Sequence, residues 1–304
     1  MSASLRNPIL VSGATSFLGA HISATLANAG YDVIGTFKTD GPRLALLMAR
    51  APTVRLIKVD LTNDIGLDKL NSDIDAIIHV AALSPAPNIA TNALVNCNVL
   101  GTQNLVEFGV RRAVKKFIFM SSVSLYGRVT DRILDERTPI LEPDTYGATK
   151  LLGERLLAGN SDKMPAIALR LPGILGRNAH RAWIPTLVQK ARRNDDIFYY
   201  NPNNQFNNAI LANDVADFCC QLVAENYVGF HAFPLAASNS IKVSTLVEMI
   251  VESTGSLSKV GVGSRDQSGF TISNSYASHK FGYIGRPIEE IVSRYCSDPG
   301  DSDF

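Results

Sequence analysis

The stretch Ile9-Leu-Val-Ser-Gly13-Ala-Thr-Ser16-Phe-Leu-Gly19 predicts a buried strand, a tight glycine turn and the first turn of a helix. Gly13 permits the turn, and Gly19 lets the helix pack closely on the strand. Ser16 stands where such turns commonly carry a middle glycine, and its hydroxyl can cap the helix or contact a phosphate. The helix N-terminus presents free N–H groups and the positive end of the helix dipole. We therefore expect a phosphate-binding junction here.

The same alternation of strand and helix continues through the first half of the chain. Short runs of β-branched and apolar residues recur between segments of helical periodicity, which predicts a parallel sheet covered by helices on both faces. We therefore predict an α/β fold, with a doubly wound parallel sheet (Rossmann fold) over residues 1–171. The strand-like runs are residues 9–12, 32–37, 54–59, 76–81, 116–121 and 166–170.

The pattern changes after Leu171, where Pro, Gly, Asn and aromatic residues become denser. We interpret residues 172–208 and 233–304 as a smaller C-terminal substrate-binding lobe. Helical periodicity returns in the segment 209–232, and we expect this segment to pack back onto the first domain.

Composition narrows the class of protein. Of the 304 residues 46% are apolar, and the formal net charge of +1 argues against a nucleic-acid partner. Four cysteines without a C-x-x-C pair indicate reduced thiols. No apolar run is long enough to span a membrane, and no segment resembles a secretion signal, so we expect a cytoplasmic protein. The five histidines show no metal-ligand spacing, and no metal site is predicted.

A second group of motifs indicates chemistry. Tyr146-Gly-Ala-Thr-Lys150 places a tyrosine and a lysine four residues apart, hence on one face of a helix. A lysine ammonium there stabilises the phenolate and lowers the tyrosine pKa from about 10, as a general acid–base requires. Ser122, which ends a predicted strand, would donate a hydrogen bond to a substrate oxygen, and Asn98 is a candidate for a proton relay. With the glycine turn, these catalytic candidates indicate a nicotinamide-dependent oxidoreductase.

The residue type after the second strand bears on which cofactor binds. An acid there accepts hydrogen bonds from the ribose hydroxyls of NAD, whereas a cation accommodates the 2′-phosphate of NADP. The chain has no acid before Asp40 and carries Lys38, so we predict a preference for NADP(H), with Arg43 as a second phosphate partner and NAD(H) as the alternative. The other expected cofactor contacts are Gly13, Thr15, Ser16, Phe17, Leu18, Gly19, Asp60, Leu61, Ala81, Ala82, Tyr146 and Lys150.

These motifs together resemble the extended short-chain dehydrogenase/reductases, the NAD-dependent epimerase/dehydratase family that acts mainly on nucleotide sugars. The resemblance covers nearly the whole chain. It also includes Asp60-Leu61, His79-Val-Ala-Ala82, Asn98-Val-Leu-Gly-Thr102, Leu169-Arg-Leu-Pro172 and Asn213-Asp214-Val215.

The resemblance implies a role for each matching residue. Ser122, Tyr146 and Lys150 become the catalytic triad, Leu83 and Pro172 become cofactor contacts, and a homodimer forms through the helices that carry Asn98 and Tyr146. The substrate is a small molecule, expected to be a nucleotide sugar. Its implied contacts are Ser84, Ser122, Ser124, Tyr146, Gly173, Arg177, His180 and the Phe206-Asn207-Asn208 segment. His79 is interpreted as an interior residue.

The positions at which this chain departs from the family pattern indicate which of the family's activities to expect. Sugar dehydratases of the family carry an Asp-Glu pair directly after the catalytic hydroxyl, where this chain has Val123 and Ser124, so dehydration is not expected. Enzymes that epimerise at C3 and C5 place a cysteine at the position of Ser124, so epimerisation through a carbanion is disfavoured.

Two sugar-modifying activities remain. One is NADPH-dependent reduction of a nucleotide-linked 4-keto(-6-deoxy) sugar with Tyr146 as general acid, and the other is a nucleotide-sugar 4-epimerase with tightly bound NAD. Lys38, and Gly173 where similar 4-epimerases commonly carry a phosphate-binding asparagine, favour the reductase, which is the activity predicted from the sequence. Reduction of a non-sugar ketone and a non-catalytic NADP(H) sensor are the alternatives outside this pair.

Overall fold

The computed structural model describes residues 7–63, 66–67, 70, 73–177, 179, 183–264 and 269–297. In chain order, its strands are β1 (Ile9–Ser12), β2 (Val33–Phe37), β3 (Arg55–Lys58), β4 (Ala76–His79), β5 (Lys116–Ser122), β6 (Ile133–Leu134), β7 (Ala166–Leu171), β8 (Gly173–Leu175), β9 (Ile197–Tyr200), β10 (Gln205–Phe206), β11 (Ala209–Leu211), β12 (Phe230–Pro234), β13 (Ile241–Lys242), β14 (Val260–Gly263) and β15 (Thr271–Ile272).

The helices surround these strands. They are α1 (Phe17–Asn28), α2 (Pro42–Arg50), α3 (Thr91–Val95), α4 (Gly101–Arg111), α5 (Thr145–Ala158), α6 (Trp183–Arg193), α7 (Ala212–Ala224), α8 (Val243–Thr254), α9 (Ser275–Phe281) and α10 (Ile288–Ser297). A π-helical turn (Asn96–Leu100) joins α3 to α4, and a 3₁₀ turn (Val123–Tyr126) follows β5.

A seven-stranded parallel sheet forms the centre, in the order β12-β7-β5-β4-β1-β2-β3. The order of strands reverses between β1 and β4, which opens a crevice beyond their carboxyl ends. This sheet confirms the predicted doubly wound fold. Strand β12 was predicted only as part of a segment that packs back, and it extends the sheet beside β7.

Apolar helix faces cover both sides of the sheet, as continuously buried parallel strands require. On one side Ile22 of α1 and Leu222 of α7 belong to the same core cluster as the strand residue Ile78. On the other side Phe108 of α4 packs in a cluster with Phe117 of β5. The sheet is therefore fixed between two helical layers, and its carboxyl edge stays open for a ligand.

The second half of the chain forms a further core around α6, α8 and α10, to which Leu187, Leu246 and Ile291 contribute. Short two-stranded sheets flank it: β8–β11, β9–β14 and β15–β6 are parallel, and β10–β13 is antiparallel. Helix α7 packs on α1, but Phe281 and Tyr283, which the sequence assigned to the smaller lobe, also join the core of the first domain. The exact division into two lobes stays a prediction.

Two properties of the described residues concern cysteine and membranes. Cys219 is buried and Cys220 is half-buried, and both thiols are free. Within the parts of the chain that the structure describes, no helix is long and apolar enough to cross a bilayer.

A buried ion pair joins three elements at the carboxyl edge of the sheet. Arg170 of β7 donates to Glu154 of α5 through two parallel bonds, Nε to Oε1 at 3.0 Å and Nη2 to Oε2 at 2.8 Å. Ser121 of β5 donates to the same carboxylate at 2.6 Å, and Arg170 Nη1 donates to the Tyr126 hydroxyl at 2.7 Å. The Tyr126 hydroxyl donates a hydrogen bond to the Asp135 carbonyl oxygen at 2.6 Å. Burial raises the Tyr126 pKa to about 12, so this phenol stays neutral.

We expect Arg170→Met to lower the free energy of unfolding by about 3–5 kcal/mol, because it leaves the buried Glu154 carboxylate without its cation. Urea denaturation measures the change. Arg55→Met is the matched control, since Arg55 pairs with Asp32 in an exposed pair that contributes about 1 kcal/mol or less. Equal losses in both variants would contradict the assignment.

Candidate active site

The glycine turn after β1 is tightly packed. Gly13 has φ +67°, and a Cβ there would lie 2.8 Å from the Cα of Ala81. A Cβ on Gly19 would lie 2.1 Å from the Gly13 carbonyl oxygen. The Ser16 hydroxyl caps α1 by accepting from the Gly19 N–H at 3.1 Å. Both glycines are therefore required, and Ser16 caps the helix, which is one of the two roles predicted for it.

A buried histidine, His79 of β4, connects the end of β1 to helix α4. Thr102 Oγ1 uses its only proton in a hydrogen bond to the Asn98 carbonyl oxygen at 2.6 Å. In the 2.9 Å hydrogen bond between His79 Nε2 and Thr102 Oγ1, the histidine is therefore the donor. His79 Nδ1 then accepts from Ser12 Oγ at 2.6 Å, and Ser12 Oγ accepts from the Ala81 N–H at 3.3 Å. Burial lowers the His79 pKa to about 3. The histidine is neutral, which confirms its interpretation as an interior residue.

Asn98 lies in the π-helical turn and holds the segment that follows β4. Its Oδ1 accepts from the Leu83 N–H at 2.7 Å, and its Nδ2 donates to the Leu83 carbonyl at 2.9 Å. The same Nδ2 lies 3.2 Å from Thr149 Oγ1 of α5. The side chain thus positions the segment with Ala82 and Ser84, both half-buried. A proton relay through Asn98 stays a prediction.

Lys150 and Tyr146 share one face of α5, which Asp144 caps by accepting from the Gly147 N–H at 2.7 Å. Lys150 is buried, and its Nζ donates to the Met120 carbonyl at 2.8 Å. The ammonium lies 5.7 Å from the centre of the half-buried Tyr146 ring. Burial lowers the Lys150 pKa from 10.5 to about 8. A buried cation beside a phenol is the arrangement that stabilises a phenolate.

Ser122 ends β5 and caps the 3₁₀ turn that follows. Its hydroxyl donates to Ser124 Oγ at 3.1 Å and accepts from the Ser124 N–H at 3.1 Å. Both serines line a cavity of about 340 Å³ at the carboxyl ends of β5 and β7. Of the predicted residues, the cavity brings together Ser122, Ser124, Pro172, Gly173, Phe206 and Asn208.

The remaining walls of this cavity, called here the Ser122 cavity, were not foreseen from the sequence. They are apolar and come from several separate elements: Val123, Leu171, Leu175, Trp183, Ile184 and Ala209. The rings of Trp183 and Phe206 meet with their centres 5.4 Å apart. Trp183 is the first residue of the amphipathic helix α6, and this place in the sequence pattern does not indicate a position in the cavity.

Among the described residues, four predicted substrate contacts do not line this cavity: Ser84, Tyr146, Asn207 and Arg177. Asn207 is buried with both ends of its amide bonded to backbone: Nδ2 donates to Ala237 O at 3.1 Å and Ile272 O at 2.8 Å, and Oδ1 accepts from Ile272 N at 2.8 Å. Its amide is thus committed to the backbone, and its role as a substrate contact stays a prediction. Arg177 lines a separate cavity of about 480 Å³. His180 lies outside the described residues.

Lys38 and Asp60 bind each other, which the sequence did not predict. Their Nζ and Oδ2 atoms lie 2.8 Å apart. Burial works to raise the Asp60 pKa, but hydrogen bonds from Lys38 and Thr62 outweigh it and lower the pKa. Lys38, the predicted 2′-phosphate partner, is thus paired with Asp60, another predicted cofactor contact. Arg43 lies half-buried in the first turn of α2.

The residues present fit a nicotinamide dinucleotide. Gly13 and Ala81 are in close contact, and Ala82 follows, so small side chains surround the uncovered N-terminus of α1. The Leu61 carbonyl accepts a hydrogen bond from Asn104 Nδ2 of α4 at 2.9 Å, which holds the segment that follows β3 in place. Among the described residues, no group of three or more His, Cys, Asp or Glu side chains is arranged to hold a metal ion.

Solved structures confirm the fold. MoeE5 in complex with UDP-glucuronic acid and NAD aligns with a TM-score of 0.80 and 24% identity, over 95% of this chain and 97% of that one. UDP-glucuronic acid 4-epimerase from Bacillus cereus in complex with NAD aligns with a TM-score of 0.81 and 21% identity, over 96% and 99%.

Curated relatives match by sequence. UDP-glucose 4-epimerase 4 of Oryza sativa subsp. japonica is 30% identical over 166 residues, which are 51% of this chain and 45% of the relative. The 3-beta-hydroxysteroid dehydrogenase of Mycolicibacterium neoaurum is 28% identical over 180 residues, 56% of this chain and 49% of the relative. The matches span about half the length of these relatives.

The family model extends over most of the chain. The model of the NAD dependent epimerase/dehydratase family matches residues 9–233, from β1 to the last strand of the central sheet. The matched region contains the glycine turn, Ser122, Tyr146 and Lys150. The chain belongs to the NAD-dependent epimerase/dehydratase family.

Proposed function

We propose that this protein is a nucleotide-sugar 4-epimerase that works through a bound nicotinamide cofactor. The observation that carries the redox chemistry is the buried Lys150 ammonium beside Tyr146. The epimerase is favoured over the reductase because relatives and structural neighbours include enzymes named UDP-glucose 4-epimerase and UDP-glucuronic acid 4-epimerase. The activity favoured by the sequence alone, reduction of a 4-keto sugar, becomes the second candidate.

Each residue of the triad has a role in this reaction. Tyr146, as the phenolate, takes the proton of the sugar hydroxyl and later returns it, as a general base and acid. Lys150 holds the negative charge of that phenolate. Ser122 donates a hydrogen bond to the sugar oxygen while it is a carbonyl. A nicotinamide cofactor held by the glycine turn at Gly13 and by Lys150 would supply reversible hydride transfer to and from the sugar carbon.

The second candidate, an NADPH-dependent 4-keto reductase, is favoured by one observation. The residue that follows β2 is Lys38 and not an acid, which suits a 2′-phosphate. The ion pair with Asp60 must then open or be shared when the phosphate binds.

The expected homodimer is supported by three exposed apolar side chains near the proposed interface. Val95 and Leu100 lie on or beside the π-helical turn, and Leu152 lies on α5. These are the segments that carry Asn98 and Tyr146. The dimer and the cytoplasmic location stay predictions.

We expect Tyr146→Phe to reduce the interconversion of UDP-glucose and UDP-galactose by about 10²–10⁴-fold, because the general acid–base is removed. Cofactor content after acid release should be unchanged, which separates catalysis from binding. Tyr200→Phe, a partly exposed tyrosine outside the Ser122 cavity, is the control. If wild type instead consumes NADPH in proportion to a 4-keto sugar and interconverts nothing, the reductase is the correct activity.

We expect kcat/KM to fall as pH rises through about 8. Lys150 is charged below its lowered pKa and loses its proton above it, so the phenolate of Tyr146 loses its counter-ion at alkaline pH. Lys150→Arg is the control, since a guanidinium keeps its charge in this range. The variant should have lower activity without the fall near pH 8. A fall that persists in it would assign the titration to another group.

Cofactor preference is tested at Lys38. We expect Lys38→Ala to lower the ratio of NADPH to NADH affinity by about tenfold, as loss of a charge-assisted hydrogen bond implies. Fluorescence titration of both cofactors measures the ratio. Lys58→Ala, which removes the lysine paired with Asp40 at the neighbouring strand, is the control. An unchanged ratio in Lys38→Ala would remove Lys38 from the cofactor site.

A further inference from the structure

A carboxylate reaches the end of the second strand from the neighbouring strand. Strands β2 and β3 pair in parallel with Phe37 beside Lys58, and the Val59 N–H extends the pairing by donating to the Phe37 carbonyl oxygen at 2.8 Å. Lys38 follows β2 directly, and Asp60 lies two residues after β3. Their Nζ and Oδ2 atoms are 2.8 Å apart. The end of β2 therefore has an acid beside it, although the chain places a lysine there.

Asp60 is the fixed member of this ion pair. Its Oδ1 accepts hydrogen bonds from the Thr62 N–H at 3.0 Å and from Thr62 Oγ1 at 2.8 Å. The adjoining Leu61 carbonyl is held by Asn104 of α4. The Lys38 side chain is 60% exposed, against 32% for Asp60, and its ammonium sits on a flexible four-carbon stem. The hydrogen bond with Asp60 raises the Lys38 pKa, so the lysine stays charged. The carboxylate thus sets the place of the ammonium.

This ion pair treats the two forms of a nicotinamide cofactor differently. A ribose 2′-hydroxyl is both a donor and an acceptor, so it can donate to Asp60 and accept from Lys38 while the two stay together. A 2′-phosphate is an anion that must take Lys38 from Asp60, and it then faces the carboxylate as a like charge. A carboxylate left without its partner is a device that disfavours the wrong ligand. The pair therefore favours the cofactor without the phosphate.

We propose that Asp60, through its ion pair with Lys38, makes this chain select NAD(H) over NADP(H). Proteins of this fold that bind NAD place an acid after the second strand, and here the segment after β3 supplies it. The assignment rests on the proposed function, because it names the form of the cofactor that the epimerase holds. Lys38 remains the group that a 2′-phosphate would bind, and the ion pair limits that binding.

The test is a competition between the two cofactors for the whole chain. The protein is equilibrated with known mixtures of NADH and NADPH, unbound nucleotide is removed by rapid filtration, and the bound nucleotides are released with acid and quantified. We expect wild type to bind NADH at least as tightly as NADPH. Asp60→Asn should raise the ratio of NADPH to NADH affinity about two- to fivefold, as loss of a partly exposed ion pair implies.

The ratio isolates selectivity from other effects of the substitution. The asparagine keeps an oxygen that accepts from Thr62, and any contact of Asp60 with a part common to both cofactors cancels in the ratio. Asp32→Asn is the matched control, because Asp32 pairs with Arg55 across the same two strands at their amino ends. It removes an equal charge and should leave the ratio unchanged.

A double variant tests whether Asp60 acts through Lys38. In a Lys38→Ala background, Asp60→Asn should raise the ratio less than it does in wild type, because no ion pair has to open when the phosphate binds. Equal or larger effects in that background would overturn the role of the ion pair.

The remaining outcomes separate this inference from the proposed function. A wild-type preference for NADPH, or a ratio that Asp60→Asn does not raise above that of Asp32→Asn, would overturn the selectivity. Interconversion of UDP-glucose and UDP-galactose, assayed on the same preparation, would then leave the epimerase in place. Failure of the chain to bind either nucleotide would overturn both the selectivity and the proposed function.

Discussion

The bidentate ion pair between Glu154 and Arg170 connects α5, β5 and β7, the three elements that carry or directly precede Lys150, Ser122 and Pro172. Glu154 lies one helical turn after Lys150, Arg170 lies two residues before Pro172, and the Ser121 hydroxyl that donates to Glu154 precedes Ser122. In a water-excluded interior such a network is strong only when each polar atom is satisfied. Here the guanidinium, both carboxylate oxygens and the Tyr126 hydroxyl all have partners. The network therefore fixes α5, β5 and β7 relative to one another.

A second constraint acts on the charge at the site. Lys150 is buried, its ammonium donates to one backbone carbonyl and lies 4.9 Å from the centre of the Phe119 ring. Burial lowers its pKa, so this cation is held at an energetic disadvantage that a nearby phenolate relieves. The neutral His79 on β4 connects Ser12, at the end of β1, to Thr102 of α4 without adding a competing positive charge.

The sequence predicted most of the fold because its signals are local. A buried strand, a glycine turn and a capped helix lie within eleven residues, and Tyr146 and Lys150 are one helical turn apart, so short-range geometry decides both. Ser122 was foreseen because it ends a strand whose apolar run is unmistakable. Glu154 and Arg170 were missed, although a glutamate on the apolar face of a helix and an arginine inside an apolar strand are signals of a buried pair.

The contacts that the sequence did not predict join distant parts of the chain. Asn207 bonds to Ile272, 65 residues further on, and no local pattern identifies that partner. Lys38 pairs with Asp60 only because β2 and β3 are adjacent. Trp183 reaches the cavity because α6 packs beside β8, and its contact with Phe206 depends on the tertiary fold. Contacts of this kind shape the walls of the Ser122 cavity, which explains why the chemistry was easier to predict than the substrate.

The most direct test of redox epimerisation follows a label on the sugar itself. UDP-glucose carrying deuterium at C4 would be incubated with the holoenzyme in ordinary water, and the UDP-galactose formed would be examined by NMR and mass spectrometry. We predict that the product retains the deuterium at C4, because the hydrogen removed by oxidation is returned to the same carbon without exchange with solvent. Product that has lost the label to water, or the absence of product together with consumption of added NADPH on a 4-keto sugar, would contradict this mechanism.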